Sequence, residues 1–149
     1  MTGVKKMNDL YEYLKDTIWI KEYPIHYAGT ECNSRMTVIR LSDDSLFIYS
    51  PCEIDGITKS TIDRLGKVKF IVAPGSYHYF YVESAQEAFP DAETYICPGI
   101  EQKKPEIEFD WLLGDRPPQS WENEFDQVLV MLVLLYQYPC ACKFAWNLR

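Results

Sequence analysis

Basic residues are scarce in this chain: 15 lysines and arginines stand against 22 aspartates and glutamates, giving a formal net charge of −7 and a pI near 4.8. A surface of that sign repels phosphate backbones and anionic headgroups, which argues against nucleic acid as a partner. Long apolar runs are also missing. The run from Val128 to Tyr136 has nine apolar residues, whereas a bilayer span needs about twenty; it reads as one buried strand. The opening MTGVKKMNDLYEYLKD has two lysines, then acidic residues, and no apolar stretch of signal-peptide length. The expectation is a cytoplasmic protein with no membrane span.

Paired cysteines are absent too. The five cysteines (Cys32, Cys52, Cys97, Cys140, Cys142) are odd in number and contain no C-x-x-C pair. A zinc knuckle needs close pairs with two to four intervening residues, and a disulfide framework suits a smaller secreted chain. Free and mostly buried thiols are expected, and the x1 spacing of Cys140 and Cys142 argues against a metal site there. Histidine is the scarcest resource, with only His26 and His78. His26, between aromatic neighbours in an alternating stretch, reads as a packed or surface residue. Asp110, Asp115, Glu122, Glu124 and Asp126 lie in a polar, proline-rich stretch without an imidazole and read mostly as solvated loop charges.

What the chain does have is sheet-forming pattern, within 149 residues that are 47% apolar, enough for one domain with a real core. Met7, Leu10, Tyr11 and Leu14, spaced by three and four, predict a short amphipathic helix or ordered lead-in. Ile18 and Ile20 alternate ahead of Pro24 and Gly29, predicting one or two short strands with a turn. The stretch 36–51 is the clearest hairpin, turning at Ser42-Asp43-Asp44-Ser45, where Asp and Ser bond the nearby backbone. Asp43 and Asp44 are therefore a solvated turn and not a catalytic pair. A helix follows, capped by Thr58 or Ser60, with Ile57, Ile62 and Leu65 as its apolar face and Gly66 as its stop. The strand 68–72 leads through Ala73-Pro74-Gly75-Ser76 to Tyr77-His78-Tyr79-Phe80-Tyr81, a helix with Val82, Ala85, Ala88 and Phe89 inward, and a strand 94–97. This β-α-β run predicts a parallel pair with a right-handed crossover. The sheet is then mixed and the fold class α/β. Loops at strand ends carry chemistry in such sheets, so His78, Tyr77 and Tyr79 form the candidate site. The aromatic cluster can line an apolar pocket, but buried packing beside the sheet is the expected role.

The pieces GTECNSRMTVIRL, IVAPGSYHYF and FPDAETYICPG, with FDWLLGDRPPQSW after them, resemble an uncharacterised branch of the metallo-β-lactamase-like superfamily, over residues 17–130. The resemblance implies an αββα sandwich, present here in part, with any metal at the sheet ends. The superfamily's hydrolases carry His-x-His-x-Asp-His in the loop after this strand, where those side chains hold metals that activate water. The branch resembled implies a His-His pair at positions 78 and 79, of which only His78 is kept. His78 is the sole candidate ligand for zinc or iron, with His26, Asp115 and Cys97 as remote partners. One imidazole falls short of the three or four ligands such metals need. The expectation is a non-hydrolytic binding or structural module, the alternatives being a metal-dependent hydrolase or redox protein built on His78, or a truncated product without independent function. The single domain spans 1–149, and residues 131–149 depart from the pattern, as a frameshift or retained intron would make them. A homodimer or protein partner is expected to cover exposed apolar sheet.

Overall fold

The computed structural model describes residues 9–27, 29–131 and 140–145. Seven strands form one sheet in sequence order: β1 (Tyr11–Leu14), β2 (Ile18–Tyr27), β3 (Thr30–Arg40), β4 (Leu46–Tyr49), β5 (Val68–Ala73), β6 (Glu93–Ile96) and β7 (Trp111–Leu112). The first four pair antiparallel, and β4 through β7 pair parallel. Helices α1 (Gly56–Leu65) and α2 (Val82–Ala88) connect the parallel strands, and the single-turn α3 (Ile100–Lys103) precedes β7. A second, two-stranded antiparallel sheet joins β8 (Asp126–Met131) to β9 (Cys140–Ala145). The expected mixed α/β sheet, a hairpin first and parallel additions after it, is what the chain forms.

Alternation along the strands sends side chains to two cores. Met36, Val38, Leu46, Ile48 and Ile71 face Ile62 of α1, Ala85 of α2 and Phe89 at the end of α2. Ile39, Leu41, Phe47, Phe70 and Val72 face the other way, onto Ile100, Ile107, Leu113, Trp121 and Phe125. The proline-rich stretch is thus a cover for the second face. Trp121, 1% exposed, sits edge-on to Phe47, Phe70 and Tyr95 at centroid distances of 5.2, 5.0 and 4.5 Å. Two carboxylates expected to be solvated instead tie this cover down. Asp110 Oδ2 accepts the Thr94 N–H at 2.7 Å, and Glu124 accepts the Ser42 N–H at 3.1 Å and its hydroxyl.

Several local expectations are corrected. Residues 11–14 are a strand and not a helix, because Tyr11 and Glu12 pair with Ile20 and Trp19 and tertiary pairing overrides a weak helical period. The two strands expected to be short are ten and eleven residues long, turning at Gly29 with φ +78°. Pro24 fits because, among the described residues, β1 flanks β2 only along Ile18–Ile20 and Pro24 is paired on the β3 side alone. The cap of α1 is Asp55, whose Oδ1 accepts the Thr58 N–H at 2.7 Å, and Ile57 is 79% exposed. Gly66 is required by a close approach, since a Cβ there would lie 3.0 Å from the Asp44 carbonyl oxygen. Val128 is exposed on β8, against the expected burial of that run; its continuation through 132–136 lies outside the described residues. Asp43 is the turn residue expected: it accepts the Ser45 hydroxyl at 2.5 Å and Lys69 Nζ at 3.0 Å, which hold its pKa down at about 2.

Cys52 and Cys97 are buried free thiols and Cys32 is an exposed one; the side chains of Cys140 and Cys142 lie outside the described residues. Among the described residues no helix is long and apolar enough to cross a membrane.

Candidate functional site

Parallel strands β4, β5 and β6 end on one edge of the sheet, and the chain leaving those ends carries Ser50, the 74–81 loop and Cys97. The crevice outside such strand ends is where open α/β sheets bind ligands. Ser50 follows β4 directly. It has φ +56°, a left-handed conformation that a non-glycine residue adopts at a cost, and its N–H is held by the Val72 carbonyl at 2.9 Å. The loop after β5 closes on itself where the His78 N–H donates to the Gly75 carbonyl at 2.8 Å. These two backbone anchors bring the buried Ser50 hydroxyl to 2.6 Å from His78 Nδ1.

The third contributor is the β2–β3 hairpin. Tyr23 reaches over from it, donating its hydroxyl to the Pro51 carbonyl at 3.3 Å and meeting Tyr81 edge-on at 5.6 Å. Burial raises the pKa of its phenol above the ordinary 10, against the opposing pull of the neighbouring Ser34 and Ser50. Between hairpin and loop lies a cavity of about 200 Å³. The hairpin supplies Tyr23, Ile25, Asn33 and Ser34; the loop supplies Tyr77, His78, Phe80 and Tyr81. Among the described residues no carboxylate, lysine or arginine lines it. His78 keeps a solvent-exposed face, while desolvation of its inner side lowers its pKa below 6.5 and favours the neutral ring.

Behind Tyr23 and Tyr81 a second cavity of about 280 Å³ is lined by Lys21, Cys52, Glu53 and Asp55. Two of its charges are already engaged: Lys21, 5% exposed, donates to Thr58 Oγ1 at 2.6 Å and lies 3.7 Å from Asp55 Oδ2. Burial pushes the Cys52 thiol up to about 11, so it stays protonated and inert at neutral pH. A larger groove of about 840 Å³ runs between α2 and residues 105–110 and shares no residue with the other two. Its polar groups serve the fold, with Gln86 Nε2 donating to Thr94 Oγ1 and the Glu108 carbonyl at 3.0 and 2.8 Å.

The candidate residues therefore part company. Tyr77 lines the first cavity with His78, its ring 4.0 Å from Lys103 Nζ. Tyr79 turns away, packing on the second-face core and stacking on Phe80 at 4.6 Å. The aromatic cluster was expected to be buried packing, yet Tyr77 and Phe80 are half exposed. His26 follows Ile25 on β2 and so takes the opposite face of the hairpin from the cavity-lining Ile25. Asp115 is exposed and lines neither small cavity, and Cys97 belongs to the core around Phe70 and Trp121. None of these three joins His78 there.

A zinc or iron ion does not fit the donors present. Such ions take three or four protein ligands, largely anionic or imidazole, whereas the cavity offers one imidazole, neutral hydroxyls and one amide. Among the described residues no three of His, Cys, Asp or Glu converge. Sequence reasoning missed Ser50 and Tyr23. Ser-Pro at a strand end was a visible signal for the first, but only strand pairing places Tyr23 over Pro51.

Comparison with known proteins agrees with this architecture. The model of a domain of unknown function, DUF4336, matches residues 15–113. None of the curated proteins matches the chain in sequence. Among solved structures, the DIM-1 metallo-β-lactamase exposed to ceftazidime superposes with a TM-score of 0.62 at 12% identity, over 83% of this chain and 60% of that one. A metallo-β-lactamase from Pontibacter korlensis gives 0.59 at 10% identity, over 83% and 60%. The FIM-1 enzyme from Pseudomonas aeruginosa in its mono-zinc form gives 0.58 at 10%, over 80% and 57%. At such identities the likeness shows the fold alone, and the chain spans about three fifths of the length of these proteins.

Proposed function

This chain belongs to the DUF4336 family of metallo-β-lactamase-like fold, and on that premise we propose that it is a non-hydrolytic binding domain. A small uncharged ligand sits in the cavity between the β2–β3 hairpin and the His78 loop. The observation that carries the reading is the pairing of His78 Nδ1 with the Ser50 hydroxyl at 2.6 Å in a pocket that, among the described residues, is lined by no carboxylate and no second imidazole. Hydrolysis at neutral pH needs a multiply ligated metal or a general base aimed at water or at an accessible nucleophile, whereas the hydroxyl facing His78 Nδ1 is that of Ser50, which is buried. A neutral aromatic cavity with a few fixed polar groups is instead the composition of a small-molecule site. The three free thiols among the described residues suit a cytoplasmic setting. Exposed Phe109, Trp111 and Leu112, on and beside the last strand of the seven-stranded sheet, support a second copy or a protein partner along that edge.

Elemental analysis for zinc, iron and manganese tests the reading, on tag-free protein purified without chelators and with His78→Ala in parallel. Far less than one metal per chain in both is expected. About one metal per chain, lost in the variant, would overturn it in favour of a metal-dependent hydrolase or redox protein.

A further inference from the structure

β3 outruns the strand beside it. It extends from Thr30 to Arg40, but β4 pairs with it only along Thr37–Arg40. Two backbone hydrogen bonds fix which way its groups point. The Arg40 N–H donates to the Thr17 carbonyl on the β2 side, and the next N–H, that of Leu41, donates to the Ser45 carbonyl on the β4 side, both at 2.8 Å. Antiparallel ladders alternate in this way, and the β2–β3 register runs from Ile18↔Ile39 to Tyr27↔Thr30 without a shift. The N–H and C=O of Glu31, Asn33 and Arg35 therefore point to the side that β4 has left. Pro24 agrees, since it stands opposite Asn33, where this alternation asks no N–H of it. Among the described residues no strand pairs with those three groups, and all three residues are exposed. β4 leaves at Ser50, whose φ of +56° turns the chain. A straight continuation would run on beside Met36, Arg35 and Ser34; what lies beside Asn33 and Ser34 instead is the cavity of about 200 Å³, with His78 and Phe80 across it.

We propose that this slot takes an extended peptide that adds a strand to the free edge of β3, seats one apolar side chain in the cavity and sets a lysine or arginine opposite Glu31. The proposal rests on the binding reading above and names its ligand class, the uncharged group in the cavity being a side chain of the peptide. In strand addition, main-chain hydrogen bonds give affinity and a side-chain pocket gives specificity. Tyr23 and Ile25, paired with Ser34 and Cys32, share one face with them, so the peptide residue opposite Ser34 is the one that enters. An apolar cavity of about 150 Å³ accepts benzene, so about 200 Å³ holds one aromatic or branched side chain. Charge selects the flanking residue. Arg35 is engaged by Glu22 at 3.1 Å, whereas Glu31 has no ion pair among the described residues, and opposite charges across a strand pair attract. Running antiparallel, as β4 does, the peptide reads apolar-x-x-basic. A second copy of β3 fits less well: edge to edge it would bring only Thr30, Cys32 or Ser34 to an aromatic cavity. The other edge of the hairpin does not compete, because Pro24 there offers no N–H.

The test uses the whole chain and the peptide acetyl-Thr-Phe-Thr-Val-Lys-Thr-amide, in which phenylalanine falls opposite Ser34 and lysine opposite Glu31. Amide exchange followed by NMR should be slow at Cys32 and Ser34 and fast at Glu31, Asn33 and Arg35 in the free protein, and the peptide should slow those three. N-methylation of the central threonine, whose N–H meets the Asn33 carbonyl, should weaken binding roughly tenfold, while N-methylation of the valine, whose N–H faces away, should change it by less than about twofold. Glu31→Lys, a surface change that spares the core, should weaken binding several-fold, and a peptide with glutamate in place of lysine should restore it. Slow exchange at all three amides of the free protein, whether this chain or a second copy covers them, would overturn the proposal. So would equal effects of the two N-methyl groups, no charge-swap rescue, or no binding of the parent peptide. Those failures are distinct from failure of the binding reading, which stoichiometric metal would announce.

Discussion

Replacing Trp121 by alanine should cost about 3–5 kcal/mol, the range for removing a large aromatic from a core. The estimate follows from its surroundings. A buried tryptophan removes some 150–250 Å² from water, worth about 4–6 kcal/mol at roughly 25 cal/mol per Å²; that is an upper bound, because the unfolded chain already hides part of it. Edge-on contacts with Phe47, Phe70 and Tyr95 add about 0.5–1.5 kcal/mol each at most, and partial collapse of the site offsets some of the loss. Trp121 Nε1 is buried with no hydrogen-bond partner among the described residues. Phenylalanine at this position abolishes that unsatisfied donor, which itself costs about 1–3 kcal/mol, so Trp121→Phe should be destabilising by no more than about 1.5 kcal/mol. Urea unfolding of the three proteins at a common m-value decides the matter. A Trp121→Ala cost under about 1.5 kcal/mol would refute the assignment of residues 97–125 as the cover of the second sheet face. A Trp121→Phe cost equal to that of Trp121→Ala would refute the unsatisfied donor.

Two further outcomes follow from named contacts. Asp55→Ala should lower stability by about 1 kcal/mol through loss of the α1 cap, and Asp55→Asn should recover most of it, because the carboxylate is 59% exposed and its charge on Lys21 is screened; thermal melts separate the two. The depressed pKa of His78 makes stability depend on pH in a fixed sense: the folded ring resists a proton that the unfolded one accepts, so stability is full above about 6.5 and falls as pH drops from there through the folded value. His78→Gln should flatten that limb of the profile, and an unchanged slope would mean the imidazole is not desolvated.

How much of this was legible in the sequence varies with the range of the interaction. The 36–51 hairpin and the crossover from β5 to β6 depend on local alternation, turn chemistry and helical spacing, and these agreed with the tertiary answer. The helix expected over 7–16 became β1 along its described part because a weak period lost to pairing with β2. Trp121 and Glu124 looked like loop residues, since nothing nearby in the chain marks a partner 82 positions away at Ser42. The site divides in the same manner. His78 stood out by scarcity and by its place after a buried strand, and Tyr77 beside it joins the same cavity. Tyr79 could not be told apart from Tyr77 in a run of aromatics, because which way each ring turns is set by the loop anchored at Gly75 and not by residue type.

The sequence by itself determined the α/β class, the order of a hairpin followed by parallel strands, and the poverty of metal ligands, because all three rest on residue type and near-neighbour spacing. Only the assembled fold pairs Ser50 with His78 and brings Tyr23, bonded to the Pro51 carbonyl, to the same cavity. They come from three separate segments that meet only when β2, β4 and β5 take their places in a single sheet, and hydrogen bonds of under 3.5 Å have no counterpart in one-dimensional spacing.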